Sequence, residues 1–268
     1  KLNLMDLFNR ELSVILRKFY RPEGGWPDLD EDAGDILLSI VIPAYNEAKR
    51  LPVYLPLVIE YCESLKGGAE ILVVDDGSTD DTAAYVESVS SQHSIVKLLK
   101  QDKNRGKGAA VKRGALESNG QYILFADADG ATPIREADNL LKVAQTGVEV
   151  VIASRTSDKV SRSILRSLIG ASFYRLTNLL AVPSISDTQC GFKMFRAVAA
   201  KKVFSHVKES GWAFDVEVLF LAQKYDYAIM EVPVEWHAVE GSKISVVKDS
   251  INMLVALWRI RRRNSGMT

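Results

Sequence analysis

Cysteine is scarce in this 268-residue sequence, which contains only Cys62 and Cys190. Two cysteines cannot build the disulfide framework of a small secreted protein, so we expect the chain to work in a reducing compartment. Nothing near Cys190 in the sequence favours a reactive thiolate, and we expect this residue to pack as a small apolar side chain.

The sequence also lacks an excess of charge of either sign. Its 34 lysines and arginines balance 34 aspartates and glutamates, which gives a formal net charge of zero. A general nucleic-acid binder would be basic overall, with basic segments interleaved with stacking aromatic residues, and this chain has neither property. We therefore expect no nucleic acid among its partners. The 47% share of hydrophobic residues is typical of a globular protein.

Long apolar runs are missing as well. No segment reaches the roughly 18 uninterrupted apolar residues that a membrane-spanning helix needs. The N-terminal residues also lack the apolar core and small-residue cleavage site of a signal peptide. We therefore expect no spanning helix within these residues.

What the sequence does contain is an alternation of apolar strands and longer helices. The strands are predicted at 37–43, 70–76, 95–99, 121–129 and 148–154, and the helices between them at 51–65, 80–91 and 107–117. Continuous apolar strands separated by helices indicate an α/β fold with a mainly parallel, Rossmann-like sheet covered by helices. Beyond residue 155 the pattern weakens, and we predict helices near 161–180, 197–205 and 213–223, a loop at 183–191 and short strands within 227–236.

Two amphipathic segments flank this alternation. Residues 1–35 combine a helix that has one apolar face with an acidic linker, and the helix either docks on the main domain or meets a membrane or partner. Residues 246–268 form an apolar helix that contains Trp258 and ends in four arginines, Arg259, Arg261, Arg262 and Arg263. This pattern fits an interfacial helix against anionic lipid, or a plain helix with a solvated basic end. The predicted central domain is 36–245.

Three predicted strands end in polar loops that should meet at one edge of the sheet, where ligands of parallel sheets bind. The loops begin at Pro43, Asp75 and Asp127. Helix capping explains part of the second loop, but not two adjacent carboxylates after an apolar run, because like charges repel and desolvation is costly. Asp127 and Asp129 are spaced to reach one hard divalent cation, Mg²⁺ or Mn²⁺.

A short basic segment, Asn104-Arg105-Gly106-Lys107-Gly108, starts the predicted helix at 107–117. It is not a Walker A loop, which needs a different spacing. Glycines and cations at a helix start still make a plausible anion site, because free backbone N–H groups and the helix dipole favour phosphate there.

Four sequence blocks resemble, in order and spacing, those of the inverting GT-A glycosyltransferases of family 2. They are LSIVIPAYNE, ILVVDDGSTD, NRGKGAAVKRG and FADADGAT. The resemblance covers about residues 37–245 and implies that the central domain is a GT-A catalytic domain. Downstream blocks such as DTQCGFKMF and GWAFDVEVLF look most like those of the dolichyl-phosphate β-glucosyltransferases. Dolichyl-phosphate mannose synthases and bacterial polyprenyl-phosphate glycosyltransferases share the first four blocks and are the alternatives.

The resemblance implies roles for individual residues. A UDP-sugar would lie on Pro43, Tyr45, Glu47, Asp75, Asp76, Arg105, Lys107 and Asp127, with Mg²⁺ or Mn²⁺ on Asp127 and Asp129. Candidates for catalysis are Asp187, Asp215 and Lys193. Trp212, Asp215 and Glu217 would lie on the acceptor side, although core packing is the alternative for Trp212 and Phe214.

The implied reaction moves glucose from UDP-glucose to dolichyl or another polyprenyl phosphate with inversion, giving dolichyl β-D-glucosyl phosphate for protein N-glycosylation. A phosphate monoester is largely dianionic at pH 7, since its second pKa is about 6, and it needs positive charge more than a base. We therefore predict that Arg155, Arg162 and Arg166 bind the acceptor phosphate, with a solvated helix face as the alternative for Arg162 and Arg166.

Two other functions compete with this one, namely a mannosyltransferase that uses GDP-mannose and a non-catalytic nucleotide-sugar binder. The intact pair of Asp127 and Asp129 argues against the second. A lipid acceptor also implies a membrane surface. We expect a membrane-associated enzyme with its active site on the cytoplasmic face, at the endoplasmic reticulum in a eukaryote or the cell membrane in a prokaryote.

Overall fold

The apolar runs predicted as strands form one sheet at the centre of the protein. A computed structural model describes residues 36–155, 185–211, 213–237, 255–256 and 258–263. All of them lie in one compact unit, Gly34–Thr268. Several predictions fall outside the described residues: the helix and linker at 1–35, the basic helix at 161–180 with Arg162 and Arg166, Trp212, and the start of the last helix.

Within the described residues the sheet has seven strands in the order β3-β2-β1-β4-β6-β5-β7. Their bounds are β1 Leu38–Ala44, β2 Ala69–Asp75, β3 Val96–Lys100, β4 Tyr122–Ala126, β5 Val150–Arg155, β6 Phe192–Arg196 and β7 Ile229–Val234. β1 pairs in parallel with both β2 and β4, with Leu38 opposite Ala69 on one side and Tyr122 on the other. The loops after these three strands therefore emerge at one edge, as predicted.

Strand β6 is the exception to the parallel arrangement. It lies between β4 and β5 and runs antiparallel to both. The sequence analysis treated these residues only as part of a motif, because five residues interrupted by Lys193 do not form a clear apolar run. The mainly parallel sheet is confirmed, with one reversed strand that the pattern did not reveal.

Helices cover the sheet. They are α1 Leu51–Ser64, α2 Thr82–Ser90, α3 Lys107–Glu117, α4 Ala137–Ala144, α5 Ala197–His206 and α6 Phe214–Lys224, with a short 3-10 turn, Ile134–Glu136, before α4. Residues 255–256 and 258–263 are also helical and are called here the C-terminal helical segment. All of these except α4 and the short turn were predicted. None of the described helices is long and apolar enough to cross a membrane.

Close packing places helix α3 at the edge where the loops meet. Gly114 lies against the sheet so tightly that a Cβ there would be 2.3 Å from a methyl carbon of Val41. Ala110, Val111 and Ala115 of the same helix are buried in the core. Because α3 cannot move away from the sheet without opening this contact, its first residue is held at the functional edge.

Candidate active site

The loops that follow β1 and β2 are joined by hydrogen bonds at the edge of the sheet. The Asn46 N–H donates to Ser78 Oγ at 3.0 Å, and the Thr79 N–H donates to Asn46 Oδ1 at 2.8 Å. Asn46 has a φ of 55°, a left-handed conformation that asparagine tolerates better than most residues. The two loops therefore form one preorganised surface.

The residues predicted to hold the nucleoside lie on this surface. Pro43 belongs to β1 and is partly exposed, whereas the Tyr45 side chain beyond the strand is open to solvent. Glu47 forms an ion pair with Arg50, with 3.2 Å between Glu47 Oε1 and Arg50 Nη1. Tyr45 is thus the most accessible member of the first loop for a planar base.

The two adjacent aspartates after β2 are buried, at 4% exposure for Asp75 and 3% for Asp76. Asp76 accepts hydrogen bonds from the backbone N–H groups of Arg105 at 2.7 Å and Gly106 at 2.8 Å, and from Gln101 Nε2 at 2.8 Å. Such donors compensate the desolvation of a carboxylate. Asp76 therefore shapes the loop that precedes α3, and its predicted contact with the nucleotide stays a prediction.

Asp75 is less fully engaged than its neighbour. Its Oδ1 accepts one hydrogen bond, from the Ser78 N–H at 3.2 Å. The side chain of Arg105, another predicted nucleotide contact, is half-exposed and lies 3.7 Å from Asp102. Both residues remain candidates for the donor site.

Lys107 begins helix α3 and reaches across to the loop after β4. Its Nζ lies 2.5 Å from Asp127 Oδ1. Burial alone would lower the pKa of Lys107, but the carboxylates of Asp127 and Asp215 raise it above its ordinary value. The lysine therefore stays charged at neutral pH and contributes a fixed cation beside Asp127.

Asp127 and Asp129 lie just beyond β4, which ends at Ala126 and is shorter than predicted. The Asp127 side chain is 37% exposed. Asp129 accepts a hydrogen bond from the Ala131 N–H at 3.0 Å. Gly191 packs against Asp127 so closely that a Cβ would lie 2.0 Å from Asp127 Oδ2.

A small cleft opens in front of these aspartates. It is lined by Asp127, Asp129, Ala131, Thr132, Gly191, Phe192 and Trp236. Trp236 was not predicted as a site residue, because nothing in the local sequence distinguishes it from an aromatic residue at the end of a short strand. The structure brings it to the two aspartates through β7.

The donor set at this cleft fits a hard divalent cation. Among the described residues no group of three or more His, Cys, Asp or Glu could hold a metal, so the protein's share would be two carboxylates. That suits Mg²⁺ or Mn²⁺, which keep waters and substrate phosphates as their other ligands. Among the residues that the structure describes, the Tyr54 hydroxyl is buried without a hydrogen-bond partner. Burial and then the charges of Asp127 and Asp129 raise the pKa of Tyr54.

Arg155 and Asp187, predicted separately for the acceptor phosphate and for catalysis, form one bidentate ion pair. Arg155 Nε and Nη2 lie 2.7 and 2.8 Å from the two oxygens of Asp187. Burial alone would raise the pKa of Asp187, but the hydrogen bonds and charge of Arg155 lower it below its ordinary value. The guanidinium also lies 5.6 Å from the centroid of the Trp236 ring, which places the pair beside the cleft.

Lys193 and Asp215, also predicted for catalysis, form a buried ion pair. Lys193 Nζ lies 2.5 Å from Asp215 Oδ1 and donates to the Cys190 carbonyl at 2.6 Å. Lys193 has no exposed surface and Asp215 almost none. Their geometry favours holding the loop before β6 against α6 over direct contact with substrate. Cys190 is buried and free, and burial raises the pKa of its thiol to about 11.

The remaining predicted acceptor-side residues on α6 point into the protein. Glu217 is fully buried and accepts hydrogen bonds from the backbone N–H groups of Lys208 at 2.8 Å and Glu209 at 2.6 Å. The Phe214 ring packs 5.8 Å from that of Phe125, so core packing, the alternative stated for Phe214, is what the structure has.

The chain is similar in sequence to known enzymes of one family. The sequence profile described as glycosyl transferase family 2 matches residues 39–204. A dolichyl-phosphate β-glucosyltransferase of Dictyostelium discoideum is 42% identical, over 85% of this chain and 75% of that protein. The chain belongs to the dolichyl-phosphate β-glucosyltransferases of glycosyl transferase family 2. Family 2 enzymes of the same description from Saccharomyces cerevisiae and Homo sapiens are 38% and 39% identical, over 88% and 77% of this chain and 78% and 69% of theirs.

Solved structures confirm the GT-A fold expected for a family 2 glycosyltransferase. Mannosyl-3-phosphoglycerate synthase from Rubrobacter xylanophilus matches with a TM-score of 0.61 and 20% identity, over 85% of this chain and 74% of that one. Glucosyl-3-phosphoglycerate synthase from Mycobacterium tuberculosis, solved with Mn²⁺, UDP and phosphoglyceric acid, matches with a TM-score of 0.59 and 20% identity, over 93% and 86%.

Proposed function

We propose that this enzyme transfers glucose from UDP-glucose to dolichyl phosphate, with inversion at the anomeric carbon, to give dolichyl β-D-glucosyl phosphate for protein N-glycosylation. The observation that carries the proposal is the open carboxylate pair beside Lys107, in a chain whose relatives are named for this activity. An accessible pair of oxygen ligands next to a fixed cation suits a nucleoside diphosphate that brings its own metal.

On the donor side, Asp127 and Asp129 would hold Mg²⁺ or Mn²⁺. When bound, the metal would offset the charge that develops on the departing UDP. Lys107 adds a second positive charge at the same place and needs no reorganisation during the reaction, because Asp127 already holds it. Tyr45 and the other residues of the first two loops, Pro43, Glu47 and Asp75, would bind the nucleoside, and Arg105 would join Lys107 at the diphosphate.

On the acceptor side, Arg155 would bind the phosphate of the lipid. Its partner Asp187 has a lowered pKa and is therefore a weak proton acceptor. A dianionic phosphate needs no base. We assign Asp187 to orienting Arg155, and the buried pair of Lys193 and Asp215 to holding the loop that carries Asp187. Arg162 and Arg166 remain predicted phosphate ligands.

The C-terminal helical segment would face the membrane that contains the lipid acceptor. Val255 and Trp258 are 51% and 60% exposed, whereas Ala256 and Ile260 on the other side of the segment are buried. An exposed apolar face with a tryptophan is typical of helices that lie in a membrane interface. The active site would accordingly lie at a cytoplasmic membrane face, that of the endoplasmic reticulum in a eukaryotic cell.

Radiolabelled donor tests the proposal directly. The full chain is incubated with UDP-[¹⁴C]glucose, Mn²⁺ or Mg²⁺ and a short polyprenyl phosphate, and the organic phase is counted. We expect labelled lipid that disappears when a chelator removes the metal. Transfer from GDP-mannose alone would replace the donor assignment, and no transfer from any nucleotide sugar would overturn the proposed activity.

A further inference from the structure

Ion pairs from two arginines to two largely buried carboxylates connect the C-terminal helical segment to the rest of the described enzyme. Arg263 donates through Nη2 to Oε1 of the fully buried Glu217, and its Nη1 lies 3.5 Å from Glu209 Oε1. Arg259 Nη2 lies 3.4 Å from Glu209 Oε2. Since removing the charged partner of a buried carboxylate is costly, the ion pair with Glu217 should hold Arg263 and the helix that carries it in this position.

The other oxygen of Glu217 shapes the loop at residues 208–211. It accepts hydrogen bonds from the backbone N–H groups of Lys208 and Glu209, at 2.8 and 2.6 Å. One carboxylate therefore holds both the arginine and the backbone of this loop. A shift of Glu217 would move the loop with it.

The 208–211 loop in turn contacts the start of helix α3 directly. The Gly108 N–H donates to the Ser210 carbonyl at 2.7 Å. A Cβ at Gly106 would lie 2.4 Å from that carbonyl oxygen, and one at Gly108 would lie 2.7 Å from the Glu209 carbonyl. Because backbone touches backbone at both glycines, the loop determines where the helix begins.

Lys107 stands between these two glycines, with its Nζ 2.5 Å from Asp127 Oδ1. Direct contacts thus run from Arg263 through Glu217 and the 208–211 loop to the cation beside the metal-binding aspartates. Small displacements of a positioning group reduce its effect steeply in a preorganised site.

We propose that Arg263 is a positioning residue of the donor site, which holds Lys107 against Asp127 by fixing Glu217 and the 208–211 loop. The inference rests on the proposed function only in placing Lys107 at the donor diphosphate. It also changes the role expected for Arg263 from the sequence, which was contact with anionic lipid or a solvated helix end.

A double-mutant cycle with nucleotide binding as the readout tests this without relying on catalysis. UDP with Mn²⁺ is titrated by calorimetry into the full-length wild type, Arg263→Gln, Lys107→Gln and the double variant. We expect Arg263→Gln to weaken UDP binding by about tenfold, an effect of the size that remote positioning residues produce. In the Lys107→Gln background the same change should have little further effect, because the group that Arg263 positions is already gone.

Controls separate positioning from general loss of structure. Lys100→Gln removes a cation that is ion-paired on the surface with Glu87, and it should leave UDP affinity unchanged. If Arg263→Gln does not fold, Arg263→Lys enters the cycle, since one ammonium cannot bridge Glu217 and Glu209 as the guanidinium does.

Two results would overturn the inference. One is unchanged UDP affinity in a folded Arg263 variant, with weaker binding to vesicles of anionic lipid instead, which would return the residue to the membrane cluster. The other is a cycle in which the two losses multiply. Wild-type binding of GDP instead of UDP would overturn the donor assignment alone, and the cycle would then be run with GDP.

Discussion

Two pairs of aspartates follow the strands on either side of β1, and the protein treats them differently. Asp75 at the end of β2 and Asp76 just beyond it are almost completely buried. Asp76 accepts three hydrogen bonds, from Gln101 and two backbone N–H groups, and Asp75 accepts one, from the Ser78 N–H. Asp127 and Asp129 after β4 are partly exposed, and Lys107 and the Ala131 N–H are the partners described above.

The difference shows that topology alone does not make a carboxylate a ligand site. Both pairs lie where parallel strands end, and both follow apolar runs. What separates them is the supply of protein donors. The 101–106 segment brings three donors to Asp76, whereas the second pair retains coordinating capacity for a cation. Asp76 is therefore structural in large part, whereas Asp75 and the second pair keep acceptor oxygens for a ligand.

The largest effect is expected when the open pair loses a charge. Asp129→Asn should lower glucosyl transfer by about 10²- to 10³-fold, because metal and charge stabilisation at a leaving group contributes several kcal/mol. The melting temperature should change little, since an amide oxygen can still accept the hydrogen bond from Ala131. Transfer rates and thermal unfolding with and without Mn²⁺ measure both. Nearly full activity would show that Asp129 is not a metal ligand.

The second largest effect is expected from a methyl group added beside Asp127. Gly191→Ala places a Cβ 2.0 Å from Asp127 Oδ2, so the carboxylate must shift from its place beside Lys107. We expect activity to fall by roughly ten- to a hundredfold, as misplacement by about 1 Å can do. Val198→Ala on α5 is the control, because that residue is 60% exposed and has no assigned role in the site. Equal losses in both variants would contradict the prediction.

In the buried pair, Asp75 and Asp76, substitution of Asp76 should lower the stability of the fold. Asp76→Asn turns an acceptor of three hydrogen bonds into a group with only one acceptor oxygen, and we expect a loss of about 3 kcal/mol. For a chain of this size that corresponds to a melting temperature lower by roughly 6–12 °C. Asp102→Asn is a control, since that side chain is 95% exposed. If Asp76→Asn kept its stability and instead lost metal dependence, the two pairs would have been assigned the wrong way round.

The smallest effect is expected at Glu70 near the start of β2, another carboxylate whose hydrogen bonds come from the protein itself. Burial alone would raise the pKa of Glu70, but hydrogen bonds from Lys97, Asn119 and Ser39 lower it below its ordinary 4.5. The unfolded chain therefore binds the proton more tightly. The stabilisation by ionised Glu70 is complete above about pH 4.5 and is lost as the pH falls through the lowered pKa.

Glu70→Gln tests this sign. The difference in unfolding free energy between wild type and variant should be largest near pH 7 and shrink below pH 4.5, as measured by urea unfolding at a series of pH values. A difference that grew towards acid pH would show that the pKa of Glu70 is raised in the folded protein.

The local pattern of the sequence predicted most of the sheet and its helices, because strands buried on both faces leave continuous apolar runs. It missed β6 and α4. β6 contains Lys193, whose charge is neutralised by Asp215, and a partner 22 residues away cannot be seen in a local pattern. α4 is a short helix of eight residues.

The sequence predicted which loops meet at the edge of the sheet, but not which of their side chains pair with one another. The loops that meet at the sheet edge were found, because strand ends and acidic residues are both visible in the sequence. The donors that close Asp76 lie 25 to 30 residues away, and Arg155 and Asp187 are separated by 32. Pairings across such distances are set by tertiary packing, so the sequence could name these residues without showing which ones neutralise each other.

The reversed direction of β6 brings a second stretch of the chain to the edge where the parallel strands end. In a wholly parallel sheet, the residues before a strand lie at the far edge from those after it. Because β6 is antiparallel, with Phe192 opposite Ala126, its leading loop arrives where the other strands depart. The loops proposed for the nucleotide therefore come from the chain up to residue 130, whereas Asp187 and Gly191 reach the same edge from a separate stretch. Because Gly191 lies against Asp127, sequence change in the later stretch can act on both sides of the site.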